Sequence, residues 1–279
     1  AGLISPRSVV RSHFPLPKSM ASAKEIKSSF FKKLVKKIFN IFNLEIKKKN
    51  NFGDRYSEFI VEANDKIKAD LDKFEKICLA SKLNLWSILS SIEYIKNKKI
   101  NGDIVECGVY NGGTLAFIIN IISKYSLDKK IWGYDTFEDG FLKDIIHDND
   151  IDFKSRKKII INNDSSYYHS IDEVKDIIKK NTFSDFRNLK LVKGNIIETL
   201  EKEKDLPDKI SFLRMDTDLY LTTKKQLEVL YPRLESGGVL HIDDYGLCPG
   251  VKTAVDEYFV SKTIWLHRVD ITCRYLIKE

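Results

Sequence analysis

Four aspartates stand in two tight pairs, Asp216-Thr217-Asp218 and Asp243-Asp244, each directly after an apolar run, SFLRM and VLHI. Short apolar runs bounded by polar residues read as buried strands. Side chains alternate along a strand, so Asp216 and Asp218 can point the same way. If the two strands are neighbours, four carboxylates meet at one sheet edge. Such charges repel strongly in a partly dry cleft, and a bound divalent cation relieves the repulsion. An all-oxygen set with no Cys and no obvious His suits Mg²⁺, Mn²⁺ or Ca²⁺ rather than zinc. The same carboxylates can also cap turns with no metal. His241, inside the second run, reads as core; His147, His169 and His267 have no usable spacing.

A second group of residues begins at Glu106-Cys107-Gly108-Val109-Tyr110-Asn111-Gly112-Gly113-Thr114, after an apolar strand and before a helical pattern. Glycines let backbone approach a ligand, and a helix N-terminus offers free N–H groups. A dinucleotide fingerprint needs glycine two residues after the first, where this chain has Tyr110. Glu106 repels phosphate but suits an amino group or a hydroxyl. Both departures favour S-adenosylmethionine, which has no phosphate and carries an ammonium, although such a turn can also be purely structural. The next strand ends in Gly133-Tyr134-Asp135-Thr136-Phe137. Asp135 can accept from both ribose hydroxyls, or cap a helix. A third small turn, Lys193-Gly194-Asn195, follows a third strand.

The elements that must position these residues alternate. Strand patterns at 104–110, 130–137, 189–195, 209–218 and 237–246 are separated by helical patterns. One of these helices opens with a capping box, Ser170 and Glu173. Residues 141–163 are polar and irregular, and two final strand patterns, TIWLHRVD and TCRYLIKE, are close enough to form a hairpin. This order predicts an α/β fold, a doubly wound and mostly parallel sheet. Ligands of such sheets sit beyond the C-terminal strand ends, where the residues above lie. Upstream, residues 55–99 read as helix in two or more pieces.

At 279 residues with 43% apolar side chains, the chain can build a full-sized core. No apolar stretch approaches the roughly 18 residues that span a bilayer. The four cysteines, Cys78, Cys107, Cys248 and Cys273, form no CxxC pair, which predicts reduced thiols and a cytoplasmic setting. The net charge of +7 is localised: residues 1–49 carry twelve Lys/Arg against two Asp/Glu, while the remainder has 35 basic and 38 acidic residues. That balance argues against a nucleic-acid partner for the body. Within 24–49, Phe31, Leu34, Val35, Ile38, Ile41 and Phe42 recur at helical spacing among lysines. This basic amphipathic helix either packs on protein, including a second subunit of a homo-oligomer, or lies on an anionic membrane surface. The expected division is a tail at 1–22, disordered or foreign to a native start near Met20, a helical extension at 23–100, and the α/β domain at 101–279.

The segments GDIVECGVYNGGT, WGYDTFEDG, LVKGNIIETL, LRMDTDLYLTTKKQLEVLYPRLESGGVLHIDDYG and CPGVKTAVDEYF resemble the macrocin, mycinamicin and novobiocin-type sugar O-methyltransferases over roughly residues 80–260. The resemblance implies a class I methyltransferase fold, S-adenosylmethionine, Mg²⁺ and a sugar or glycan acceptor. It implies metal ligands at Asp216, Asp243 and Asp244 and a general base at Asp218. Cofactor contacts would fall on Glu106, Gly108, Tyr110, Gly112 and Thr114, on Asp135 and Phe137, and on Gly194 and Asn195. Thr217 departs from a family pattern that has a small residue there. Two other readings stand beside this one: a metal-dependent hydrolase using the carboxylate cluster, and a non-catalytic binding protein on the same scaffold.

Overall fold

The computed structural model describes residues 60–137, 140, 145–152, 157–158, 168–182 and 187–279. The tail at 1–22 and the basic helix expected over 24–49 lie outside the described residues. Helix α1 (Asp65–Phe74) is capped by Asn64, whose side chain accepts from Ile67 N–H at 3.0 Å. Helix α2 (Lys82–Lys98) is capped by Ser81 in the same way. Then follow β1 (Asp103–Cys107), α3 (Gly113–Lys124), β2 (Ile131–Asp135), α4 (Ile171–Asn181) and β3 (Leu189–Lys193). The short α5 (Ile196–Thr199), β4 (Ile210–Met215), α6 (Tyr220–Val229), β5 (Leu234–Ile242), α7 (Pro249–Phe259), β6 (His267–Arg268) and β7 (Arg274–Ile277) complete the order. The capping box of α4 is present: Ser170 Oγ accepts from Glu173 N–H, and Glu173 accepts from Ser170 N–H.

The seven strands run in the order β3-β2-β1-β4-β5-β7-β6. β1 to β5 are parallel; β7 is antiparallel to β5 and forms the final hairpin with β6. Strand order reverses between β1 and β4, and a crevice opens at such a switch point. Adjacent strand residues face opposite sides, so each central strand feeds two cores. Ile104, Ile131, Phe212 and Val239 pack with α1 to α4. Their neighbours Val105, Trp132, Leu213 and Leu240 pack with α5 to α7.

Two sequence expectations change. Leu71, Phe74, Leu85, Ile88 and Ile92 share one core with the sheet, and the compact unit runs from Tyr56 to Glu279. The boundary drawn at residue 100 therefore does not separate α1 and α2 from the α/β domain. The strand patterns also overran: β1 stops at Cys107 because Gly108 turns the chain at φ 91°, and β4 stops at Met215. No helix among the described residues is long and apolar enough to cross a membrane, and all four cysteines are free thiols.

Candidate functional site

Hydrogen bonds carry the sheet ladder one residue past the strands and bring their ends into register. Gly194 N–H donates to Asp135 O, Gly108 N–H to Tyr134 O, Asp216 N–H to Cys107 O and Asp243 N–H to Met215 O, all at 2.8–2.9 Å. Four non-glycine residues on this rim have left-handed backbones: Tyr110 (φ 51°), Phe137 (56°), Asp218 (61°) and Asp244 (57°). Conformations of this kind cost on the order of 1–3 kcal/mol each and cluster at functional sites.

Gly108 is required by the fold itself. A Cβ there would lie 1.7 Å from the carbonyl oxygen of Asp216, so glycine lets the β1 turn cross the end of β4. Asp135 is equally committed to the chain. Its Oδ2 accepts from Val109 N–H (2.7 Å) and Tyr110 N–H (2.8 Å), and its Oδ1 from Phe137 N–H (3.0 Å), while the neighbouring Thr136 hydroxyl donates to Gly140 O (2.6 Å). A carboxylate has about four acceptor positions, and here backbone N–H groups engage three. Asp135 ties the β1 turn to the β2 turn.

A cavity of about 1000 Å³ opens over this rim. Gly108, Tyr110, Thr114, Asp135, Gly194 and Asn195 line one end, and Asp216, Asp218, Asp243 and Asp244 the other. Three residues expected at the cofactor do not line it. Glu106 has no exposed surface and turns into the sheet toward Arg214. Gly112 is the N-cap of α3, where a Cβ would press into Val174. The Phe137 ring is 1% exposed and belongs to the apolar core.

The carboxylates do converge, though not by strand alternation. Asp218 lies three residues past the end of β4, and its left-handed backbone turns its carboxyl to that of Asp244. Asp150, 1% exposed, steadies this turn by accepting from Tyr220 N–H at 2.8 Å at the start of α6. The Thr217 hydroxyl is tied to Thr222 (2.8 Å) and Gln226 (2.7 Å), so the departure at this position builds a local network. Asp216, Asp243 and Asp244 each offer an oxygen within 4.8 Å of one another; Asp218, Asp244 and the Cys248 sulfur form a second such set.

The electrostatics of this half are severe. Burial, then the charge of Asp218, pushes Asp244 up to about 9, and burial also raises Asp218. Burial pushes Glu106 up to about 8 against the opposing pull of Arg214. Asp243 is the exception: burial acts upward, but Arg214 and further hydrogen bonds hold it below the usual carboxylate range. The inner His241, driven down to about 3 by burial, is a neutral core residue as its position in β5 implied.

Arg214, 2% exposed, is the residue the sequence reading passed over. Its Nη1 donates to Glu106 Oε1 (3.0 Å) and Asp216 Oδ2 (2.5 Å), and its Nη2 to Asp243 Oδ2 (2.6 Å). A lone Arg inside SFLRM, two residues before an Asp, was the available signal: a buried charge needs partners. Asn84 on α2 donates to Asp243 Oδ2 at 2.9 Å, and the Thr272 hydroxyl in the β6–β7 turn to Asp243 Oδ1 at 2.9 Å. No local pattern marks either, because both act across long sequence separations. The segments carrying them, residues 75–84 and 268–272, line the cavity beside Asp243 and are clasped by Ser81 Oγ donating to Asp270 Oδ2 (2.5 Å).

The seven-strand order, with a crevice at the β1/β4 reversal and turns in register along it, is that of class I methyltransferases. The solved structure of the O-methyltransferase NovP superposes with a TM-score of 0.63 at 26% identity, covering 72% of this chain and 81% of that one. The family profile described as Macrocin-O-methyltransferase (TylF) matches residues 35–278, and the chain belongs to that family. Demethyldecarbamoylnovobiocin O-methyltransferase of Streptomyces niveus is 31% identical over 180 residues, 62% of this chain and 64% of that protein. The 8-demethyl-8-(2,3-dimethoxy-alpha-L-rhamnosyl)-tetracenomycin-C 4'-O-methyltransferase of Streptomyces olivaceus is 27% identical over 173 residues, 60% and 61% of the two chains. The matched stretches thus span a little under two thirds of these relatives.

Proposed function

We propose that the protein methylates a sugar hydroxyl, using S-adenosylmethionine, with a hard divalent cation at Asp216, Asp243 and Asp244 and Asp218 as general base. The observation that carries this reading is one cavity with two unlike ends: a backbone-lined turn region from Gly108 to Asn195 and a carboxylate cluster. Family membership supports methyl transfer, and one relative is named for methylating a rhamnosyl group.

S-adenosylmethionine supplies an electrophilic methyl group on a sulfonium. Asp218, with its raised affinity for protons, takes the proton of the attacking hydroxyl. Tyr110 and Thr114 lie at the turn end, where Asp135 fixes the backbone against which the cofactor would rest. The segments 75–84 and 268–272 present Leu79 and Ile271, 84% and 71% exposed, among the cavity lining, a surface suited to hold an acceptor. Holding both reactants in one cavity supplies orientation, the main requirement of a displacement at a methyl group.

The acidic set fits a hard cation. Three carboxyls, Glu106, Asp216 and Asp243, share one guanidinium, and the carboxyls of Asp218 and Asp244 crowd together beside them, holding protons that a cation could displace. Asp243 is fully hydrogen-bonded, but the Thr272 hydroxyl also reaches Asp270 Oδ1 at 3.1 Å and can withdraw. A cation held here would lower the pKa of a neighbouring hydroxyl. The test is S-adenosylhomocysteine release with a panel of nucleotide sugars and glycosides, with Mg²⁺ and with EDTA, beside a thermal-shift screen of S-adenosylmethionine against NAD and ATP. Stabilisation by S-adenosylmethionine and Mg²⁺-dependent turnover are expected; stabilisation by NAD or ATP alone would overturn the reading.

A further inference from the structure

Two facts about the acidic half stand together. Two of its three candidate cation ligands, Asp216 and Asp243, share one buried guanidinium, and Asp243 has a second buried donor in Asn84. Arginine's fork is planar and rigid, so the oxygens it holds are fixed relative to each other as well as to the chain. The fork is in turn anchored from β1, where Glu106 accepts from Nη1 at 3.0 Å and has no surface exposed. Glu106 and Arg214 are directly paired across β1 and β4, so the anchor is part of the sheet rather than of a loop. We infer that Arg214, with Asn84, is a positioning residue that presets the Asp216 and Asp243 oxygens for a divalent cation. The inference rests on the cation reading of the cluster given above, and it assigns Glu106 to the anchoring of Arg214 rather than to the cofactor.

A positive group this close to a cation site also opposes the cation by charge. Positioning and charge therefore predict opposite signs. If Arg214 served only as a counter-ion to surplus carboxylates, weakening its grip would leave cation affinity unchanged or tighten it. If its geometry presets the ligands, the same change must weaken binding. Partners in the second layer of metal sites are typically worth about 10–100-fold in affinity.

The experiment titrates Mn²⁺ into the full chain, saturated with S-adenosylhomocysteine, and counts bound ion by electron paramagnetic resonance. Arg214→Lys keeps the charge and loses the fork. Mn²⁺ binding should weaken roughly 10–100-fold, with an unchanged fold by circular dichroism. The metal concentration for half-maximal turnover should rise in step, while turnover at saturating metal recovers most of the wild-type value. A general loss of structure would not give that split. Asn84→Leu, which removes the neutral donor and no charge, should weaken Mn²⁺ binding several-fold, about 1 kcal/mol for one hydrogen bond, and decides the matter if Arg214→Lys does not fold. Folded variants with unchanged or tighter Mn²⁺ binding would overturn the inference. A wild-type chain that binds no Mn²⁺ would overturn the cation reading itself, and this inference with it.

Discussion

The two ends of the cavity solve opposite problems. At the β1/β2 end the polar groups are largely spent on each other: Asp135 accepts three backbone hydrogen bonds from the chain, and Gly108 packs against the backbone of Asp216. At the β4/β5 end the groups are left in conflict. Asp218 and Asp244 compete for a proton, and one guanidinium serves three carboxylates. A self-satisfied region offers shape to a neutral or weakly polar ligand. A frustrated one offers strong binding to whatever relieves it, because unpaired buried charge is costly. On the proposed reading, the nucleoside would rest at the first end, and proton and cation chemistry would fall to the second.

The sharpest way to break this contrast is within the frustrated end. Asp218→Asn keeps the shape but cannot take a proton. Turnover should fall roughly 10²–10⁴-fold, the usual worth of a general base, with cation and S-adenosylmethionine binding retained. Excess Mg²⁺ should not restore it; rescue by Mg²⁺ in a turnover assay would make Asp218 a ligand instead. At the satisfied end, Asp135→Ala should lose about 1–3 kcal/mol in folding stability and cofactor affinity together, because it frees buried N–H groups of two turns. Calorimetry and denaturant titration would check both. Loss of affinity with stability intact would show that Asp135 touches the ligand rather than the turns.

A pH series sharpens the comparison further. Glu106 is pushed up to about 8 and Asp244 to about 9 in the folded protein, from ordinary values of 4.5 and 3.8. The folded state thus holds more protons than the unfolded one across the neutral range, and stability falls as pH rises. His241, lowered to about 3 from 6.5, acts oppositely only below pH 6.5. In EDTA, stability should decline between pH 6.5 and 9 by on the order of 1 kcal/mol per pH unit, and Mg²⁺ should offset the loss more at the alkaline end. Denaturant titrations at several pH values would show it; flat stability would mean that the carboxyls are relieved some other way. The smallest effect is expected where segments 75–84 and 268–272 meet. Ser81→Ala removes a helix cap and the clasp to Asp270, which should cost about 1 kcal/mol in thermal unfolding.

The sheet was legible because alternating apolar runs and helical spacing are local signals, and the rim because polar residues stand where those runs stop. The carboxylate cluster was legible for the same reason. Less visible was everything set by long-range packing. Glu106 reads as a ligand contact beside Gly108, yet its side chain points into the sheet because Arg214 lies opposite it across β1 and β4. Phe137 reads as part of a turn, yet its ring is core. The cavity lining at 75–84 and 268–272 has no ligand-like pattern, since only the folding of α2 and the β6–β7 turn brings Asn84 and Thr272 to Asp243.

The proposed cation site rests on the paired carboxyls of Asp218 and Asp244 and on the carboxyls that Arg214 gathers beside them. Isothermal titration of Mg²⁺ into the metal-free full chain, near neutral pH and in two buffers of different ionisation enthalpy, tests it directly. Binding of one ion with release of about one proton is predicted, because a coordinating carboxylate must be deprotonated. Absence of binding, or binding with the same apparent enthalpy in both buffers, would contradict it.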